Sequence, residues 1–203
     1  MIARPLRVLL LGAALLAALA PAGVAQTPAR VRGSIAELVG PVLIIKTREG
    51  PTVQVRLLEG LTVLGVGKAA LADVKPGKYV GVAAVKQPDG TYRAQEVTIF
   101  PDMARGSAEG HTPWDLTPDS TLTNATVESV VPRAAGPLLT LKYKDGELKV
   151  TVPPRTPVVT FSIATHALLA PGAHVFVPAV RQPDGSLATS RILVGKAGVV
   201  PPM

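Results

Sequence analysis

This chain of 203 residues has few side chains that could bind a metal or take part in catalysis. It has three histidines, His111, His166 and His174, and no cysteine, which excludes disulfides and thiolate chemistry. The histidines lie too far apart in sequence for a short metal-binding motif such as H-x-x-x-H. No Gly-x-Ser-x-Gly motif and no suggestive pair of carboxylates occurs. The sequence therefore predicts a protein that is not an enzyme and has no metal or cofactor.

One segment, the linker (residues 102–122), nevertheless gathers side chains suited to recognition. It holds the only tryptophan, Trp114, together with Arg105, His111 and Asp115. Loops of this length are usually functional or disordered, and disordered segments seldom hold a tryptophan. Three interpretations stay open: a structural strap with Trp114 packed between the flanking modules, a ligand or partner site built from these four side chains, and a flexible connection.

The segments on either side of the linker resemble each other. Residues 74–90 align without a gap to residues 169–185, with ten of seventeen positions identical and an offset of 95. Repeats of about 70 residues are too long and too few for a solenoid. The sequence therefore predicts two tandem modules, over residues 31–101 and 123–197.

Both modules have the pattern of short strands. Val53, Val55 and Leu57 alternate with polar residues, and this period of two is typical of a half-buried strand. Pro-Asp-Gly at residues 88–90 and 183–185 marks tight turns between strands. We expect five or six strands in each module, with one short helical turn before the last pair.

Such a strand set can close into a small barrel of the oligonucleotide/oligosaccharide-binding (OB) type, and a small sandwich is the alternative. Pro178 falls inside a predicted strand of the second copy. A proline cannot donate a hydrogen bond to the ladder, so we expect it at a sheet edge or a bulge.

The residues of the first copy resemble a known group of domains. Gly-Ser-Ile-Ala-Glu-Leu-Val-Gly at residues 33–40 and Leu-Ala-Asp-Val-Lys-Pro-Gly at residues 71–77 are similar to the exported bacterial OB-like domains of unknown function. The resemblance implies an all-β chain of two tandem OB-like barrels joined by an ordered linker. It implies no reaction, substrate or cofactor, and it assigns no residue a role.

The first residues are typical of a secretory signal peptide. Arg4 and Arg7 precede an apolar run over residues 8–20, and small residues precede Gln26. The run is shorter than the roughly 20 residues that span a bilayer, although an uncleaved anchor is the alternative. We expect residues 1–25 to be removed after Ala25, which predicts a periplasmic or secreted protein that contacts the membrane only before cleavage.

The remaining charge gives little guide to a partner. Without Arg4 and Arg7, 19 of the 21 basic side chains remain against 14 acidic ones, a net charge of +5. Residues 42–47 and 52–57, the strands that would carry stacking aromatics, have none, so nucleic acid is not expected. The sequence predicts an exported, non-enzymatic binding or interaction protein for an unknown protein or envelope ligand. The alternative is a metal-handling protein or an enzyme that uses residues 111–115.

Overall fold

The computed structural model describes residues 27–202, and this part of the chain is all-β, as predicted. The predicted signal peptide, residues 1–25, lies outside the described residues. Twelve strands occur in the described part: β1 Thr27–Val39, β2 Val42–Thr47, β3 Thr52–Lys68, β4 Tyr79–Lys86, β5 Tyr92–Ile99, β6 Gly110–Pro113, β7 Ser120–Val131, β8 Leu138–Tyr143, β9 Gly146–Thr151, β10 Val158–Ala164, β11 His174–Arg181 and β12 Leu187–Gly195.

Helical structure is limited to short 3₁₀ turns. Leu71–Asp73 precedes β4 and His166–Leu168 precedes β11, which confirms the helical turn expected before the last strand pair of each copy. A third turn, Asp102–Ala104, lies in the linker. Within residues 27–202, no helix is both long enough and apolar enough to cross a membrane.

The strands close two five-stranded barrels. In the first barrel the pairing runs from β1 through β2, β3, β12 and β11 back to β1. In the second barrel it runs from β4 through β5, β9, β8 and β7 back to β4. Each barrel therefore takes three strands from one copy and the final two strands from the other.

This pairing differs from the expected tandem arrangement, in which residues 31–101 and 123–197 would each close a barrel. The reason is the length of β3, whose 17 residues extend over roughly 55 Å, too far for the wall of one small barrel. The second half of β3 stays paired with β12, also pairs with β10, and leads the chain towards β4 of the second barrel. In the other copy β9 and β10 follow the equivalent path, and the prolines of residues 152–157 interrupt the strand.

The pairing preserves the equivalence of the two copies. Val97 of β5 pairs in parallel with Val158 of β10. Ile192, which is 95 positions after Val97, pairs in the same way with Val63, which is 95 positions before Val158. The repeated sequence thus makes the same contact twice, and each time a strand of one copy pairs with a strand of the other.

Apolar side chains form three clusters. The interior of the first barrel includes Leu43, Ile45 and Val55, and that of the second barrel includes Leu139, Leu141 and Val150, all 0% exposed. Val55 is an inward position of the predicted alternation. The third cluster packs β3, β11 and β12 of the first barrel against β10, and it includes Val66, Val159, Phe176, Leu193 and Val199. Because β10 pairs with both β3 and β5, it links the two barrels.

Pro178 lies in β11 where the pairing with β12 is irregular, between Phe176 and Val180. The prediction of a bulge or an edge is confirmed, because the missing N–H of the proline falls where the regular ladder is already interrupted.

Candidate functional site

The linker is folded onto the second barrel. Its strand β6 pairs with β7, and the backbone N–H of Trp114 donates a hydrogen bond to the backbone carbonyl of Ser120 at 2.8 Å. Further along, the Gln95 side chain donates to the Thr117 hydroxyl at 2.8 Å. The linker is therefore an ordered part of the structure, which agrees with the interpretation of this segment as a structural strap.

Trp114 and Asp115 reach from the linker to β1 of the first barrel. The Arg30 guanidinium lies 4.0 Å from the centre of the Trp114 ring, within cation–π range. Asp115 Oδ1 accepts a hydrogen bond from Arg32 Nη2 at 2.7 Å, and Asp115 Oδ2 lies 3.5 Å from Arg30 Nη1. Partial burial opposes ionisation of Asp115, but the hydrogen bond and charge of Arg32 lower its pKa. These contacts, here called the clasp, are made by Arg30, Arg32, Trp114 and Asp115 and hold the linker against the first barrel.

His111 faces another part of the molecule. Its ring packs edge-on against Tyr92, with 5.5 Å between ring centres, and stacks on Tyr143 at 6.3 Å. Its Nδ1 shares a hydrogen bond of 2.8 Å with the Thr123 hydroxyl. Burial lowers the pKa of this histidine. The ring thus belongs to the packing of the second barrel.

Arg105 occupies a third place. It donates a hydrogen bond to the Gly77 carbonyl at 2.8 Å and lies 3.8 Å from the Asp102 carboxylate. Of the four side chains predicted as a site, the structure brings together only Trp114 and Asp115. Among residues 27–202, no group of three or more His, Cys, Asp or Glu residues is placed to hold a metal ion.

A buried carboxyl group lies close to this clasp. Glu96 of β5 is 2% exposed, and its Oε1 accepts a hydrogen bond from the Thr98 hydroxyl at 2.9 Å. Burial raises the pKa of Glu96 to about 7, while the Thr98 hydroxyl and the charge of Arg32 act in the opposite direction. Arg32 is itself only 8% exposed, so its charge serves both Asp115 and Glu96 across the barrel interface.

A cavity of about 340 Å³, here called the inner cavity, lies between the barrels beneath the linker. Its apolar lining includes Leu64, Phe100, Trp114, Phe161, Phe176 and Leu193. The chain has only seven aromatic residues with Phe, Tyr or Trp side chains, and four of them line this one cavity. Such a concentration of rings in an aromatic-poor chain is typical of a binding surface for apolar molecules.

The inner cavity exists because the two copies differ around it. Gly81 and Phe176 are equivalent at the offset of 95, and both line the cavity. A β-carbon at Gly81 would lie 2.7 Å from Asn124 Oδ1 and 3.0 Å from Phe100. Thr98 and Leu193 form a second equivalent pair in the lining. At these two positions the second barrel presents the small Gly81 and the polar Thr98, where the first barrel presents the larger, apolar Phe176 and Leu193.

Two polar atoms in the lining lack partners. Among the described residues, Trp114 Nε1, Asn124 Oδ1 and Glu96 Oε2 are buried without a hydrogen bond. The Asn124 amide group donates to the Ala108 carbonyl of the linker at 3.1 Å, which fixes the side chain. A buried polar group without a partner costs about 1–3 kcal/mol, so a ligand that pairs with Trp114 or Asn124 would recover part of this energy.

A second cavity of about 250 Å³, here called the outer cavity, adjoins the inner one. The two share five lining residues, Leu64, Phe100, Ser107, Phe161 and Arg191. Met103 and Ile163 also line the outer cavity and are 76% and 64% exposed. The cleft between the barrels therefore opens to solvent between two apolar side chains.

Comparison with known proteins gives no relative from which function could be transferred: no family model, curated protein or solved structure matches the chain. The function must be inferred from the cleft itself.

Sequence reasoning found Trp114, which lines the cleft, and its neighbour Asp115, but missed the other lining side chains and the buried Glu96. One available signal was Glu96, which is the only charged residue in the buried half of β5. Another was the replacement of Gly81 by Phe176 inside the most similar part of the two copies. Differences between otherwise equal repeats mark positions where the copies have different tasks.

Proposed function

We propose that the protein is an exported, non-enzymatic binding protein that holds a small, mostly apolar ligand in the cleft between its two barrels. The observation that supports this most directly is the convergence of Phe100, Phe161, Phe176 and Trp114 on the inner cavity. Its volume of about 340 Å³ lies at the lower end of the range for ligand pockets, which is about 300–1,000 Å³.

The barrels support the same proposal as scaffolds. Closed five-stranded barrels of this size agree with the OB-like type that the sequence resembles. Here Thr98 of β5 and Leu193 of β12 line the same cavity, so the ligand surface forms between the barrels. The linker then covers the cleft and supplies Trp114 to it.

The alternative, a metal-handling protein or an enzyme that uses residues 111–115, has less support. The His111 ring is enclosed by Tyr92 and Tyr143, and its Nδ1 is engaged by Thr123. Asp115 is held by arginines of the other barrel. The two groups are bound by different partners and do not converge on a substrate.

The ligand proposal can be tested with the fluorescence of Trp114, the only tryptophan in the chain. The neutral apolar probe N-phenyl-1-naphthylamine is titrated into the protein. We expect binding at one site, with energy transfer from Trp114 to the probe. Leu122, which lines the inner cavity, is then changed to Phe to fill it. This variant should bind the probe at least about tenfold more weakly, the equivalent of about 1.4 kcal/mol.

The matched control is Leu58→Phe, because Leu58 is 45% exposed in β3 and does not line the cleft. It should bind the probe like the wild type. Circular dichroism and the urea midpoint establish that both variants are folded. A probe that does not bind, or that binds equally to both variants, would show that the cleft is not a ligand site.

Export is tested separately. Protein recovered from the periplasm should have an intact mass that begins at Gln26. A mass that includes residues 1–25 in the membrane fraction would contradict cleavage after Ala25.

A further inference from the structure

The charge of the cleft indicates what kind of ligand it holds. Among the described residues that line the inner and outer cavities, Arg191 is the only one with a charged side chain. It lines both cavities, so it stands at their junction. All other lining residues are apolar or neutral. A ligand in the cleft therefore meets a mostly apolar surface with one positive charge.

Comparison of the two copies shows that Arg191 has no oppositely charged residue facing it among the described residues. Arg191 is equivalent to Glu96 at the offset of 95, and Glu96 faces the charge of Arg32. Arg32 pairs with Phe176 across the strands, while Asn124 pairs with Gly81, which is the position equivalent to Phe176. Asn124 therefore stands where the other copy has Arg32.

At two equivalent places the structure therefore has different pairs of side chains. Glu96 faces Arg32 at one place, and the equivalent residues at the other are Arg191 and the neutral Asn124. The described residues include no ion pair to Arg191, which is exposed. The Trp114 Nε1 donor, which also lines the inner cavity, lacks an acceptor. Both groups offer positive charge or a donor, and neither has a protein partner.

We infer that the ligand is an amphiphile with one anionic head group and an apolar tail. This inference rests on the proposed function. The head pairs with Arg191 at the junction, and the tail lies along Phe100 and Phe161, which are shared by the two cavities. The apolar opening between Met103 and Ile163 lets a long tail extend towards the surface.

The test uses three compounds that share a twelve-carbon tail: dodecanoate, dodecanol and dodecyltrimethylammonium. Each competes with N-phenyl-1-naphthylamine for the full-length mature protein, at low salt and below the concentration at which micelles form. We expect dodecanoate to compete about tenfold better than the cation, since the carboxylate can accept a charge-assisted hydrogen bond from Arg191, while the cation can accept none and is repelled by its charge. Added salt should narrow the difference, because Arg191 is exposed.

The deciding variant is Arg191→Gln, read as the ratio of the dodecanoate affinity to the dodecanol affinity. We expect this ratio to fall about fivefold to tenfold. The matched control is Arg133→Gln, because Arg133 is exposed and does not line either cavity. This control should keep the wild-type ratio.

The outcomes separate the two proposals. If the probe binds in the cleft but the three compounds compete equally, the anionic head group is wrong and the ligand cleft remains. The same conclusion follows if Arg191→Gln and Arg133→Gln have the same ratio of dodecanoate affinity to dodecanol affinity. If the probe does not bind, or if Leu122→Phe does not weaken it, the proposed function fails and this inference fails with it.

Discussion

Val66 of β3 lies directly opposite Phe161 of β10, and these residues hold the same position in the two copies, 95 residues apart. The same offset exchanges the two neighbouring pairs: Leu64 lies opposite Ile163 and Lys68 opposite Val159, while Val159 and Ile163 are the positions 95 residues after Leu64 and Lys68. An approximate two-fold axis therefore passes between β3 and β10. The cleft lies beside this axis, where each wall comes from an equivalent part of a different copy.

The exchange of strands predicts which residues can be joined by a disulfide. Pro28 of β1 lies opposite Val180 of β11, and the proline has no N–H, so the pair is of the non-hydrogen-bonded type, with a Cα distance of about 4.5 Å. This distance suits a disulfide. Because the chain has no cysteine, Pro28→Cys with Val180→Cys should form an intramolecular disulfide upon oxidation. A mobility shift on a non-reducing gel measures it.

The control replaces the position that a tandem barrel would use. Val85 is equivalent to Val180 at the offset of 95. Pro28→Cys with Val85→Cys should remain reduced, because β4 belongs to the second barrel. Efficient crosslinking in this control, with none in the first variant, would contradict the exchange.

The strands were predictable because their causes are local. The alternation at Val53, Val55 and Leu57 and the Pro-Asp-Gly turns determine where strands form and end. The exchange was not predictable in the same way, because β11 offers β1 the same residue pattern that β4 would offer. Which copy supplies the strand depends on the path of β3 after Gly60, and the repeat itself does not encode that difference.

The candidate site was predictable only where a rare residue signalled it. Trp114 and Asp115 attracted attention because of their place in a long linker. Arg32 and Glu96 did not, since they lie far apart in sequence and meet only because the barrels pack together. Arg105 and His111 share the linker with Trp114, yet the backbone directs them elsewhere.

Gly33 should tolerate no side chain. An added β-carbon would lie 2.1 Å from the Lys46 carbonyl oxygen and 2.9 Å from Ile45, so the β1–β2 pair would have to separate. We expect Gly33→Ala to lower the free energy of unfolding by about 1–3 kcal/mol, measured by urea denaturation. In Gly67→Ala the new carbon meets nothing within 4 Å, and stability should change by less than about 1 kcal/mol. If both variants lost the same free energy of unfolding, the loss would come from replacing any glycine in a strand and not from the close contact at Gly33.

Trp114 should stabilise the junction of the barrels. It packs against Phe176, with 6.3 Å between ring centres, and lies under the Arg30 guanidinium. Trp114→Ala should lower the free energy of unfolding by about 2 kcal/mol, less than for a fully buried tryptophan. Met103→Ala, in the same linker but 76% exposed, should change it by less than about 0.5 kcal/mol. Wild-type urea midpoints for both variants would exclude a stabilising role.

Glu96 should make stability fall as pH rises. Burial raises its pKa from 4.5 to about 7, so between these values the folded state binds the proton and the unfolded state releases it. The stability contributed by the protonated form is complete below pH 4.5 and is lost as pH approaches 7. The loss is on the order of 3 kcal/mol. His111 acts in the opposite direction, because its lowered pKa destabilises the fold as pH falls below 6.5.

Glu96→Gln isolates this contribution, because glutamine keeps the shape of the side chain and does not titrate. Urea denaturation of wild type and variant between about pH 4 and pH 8 gives the difference in free energy of unfolding at each pH. We expect this difference to move in favour of Glu96→Gln by on the order of 3 kcal/mol as pH rises. His111→Asn should retain the fall due to Glu96 and lose only the opposing slope below pH 6.5. Parallel profiles for wild type and Glu96→Gln would mean that the pKa of Glu96 is the same in the folded and unfolded states, which would require that Thr98 and Arg32 offset the burial of the carboxylate.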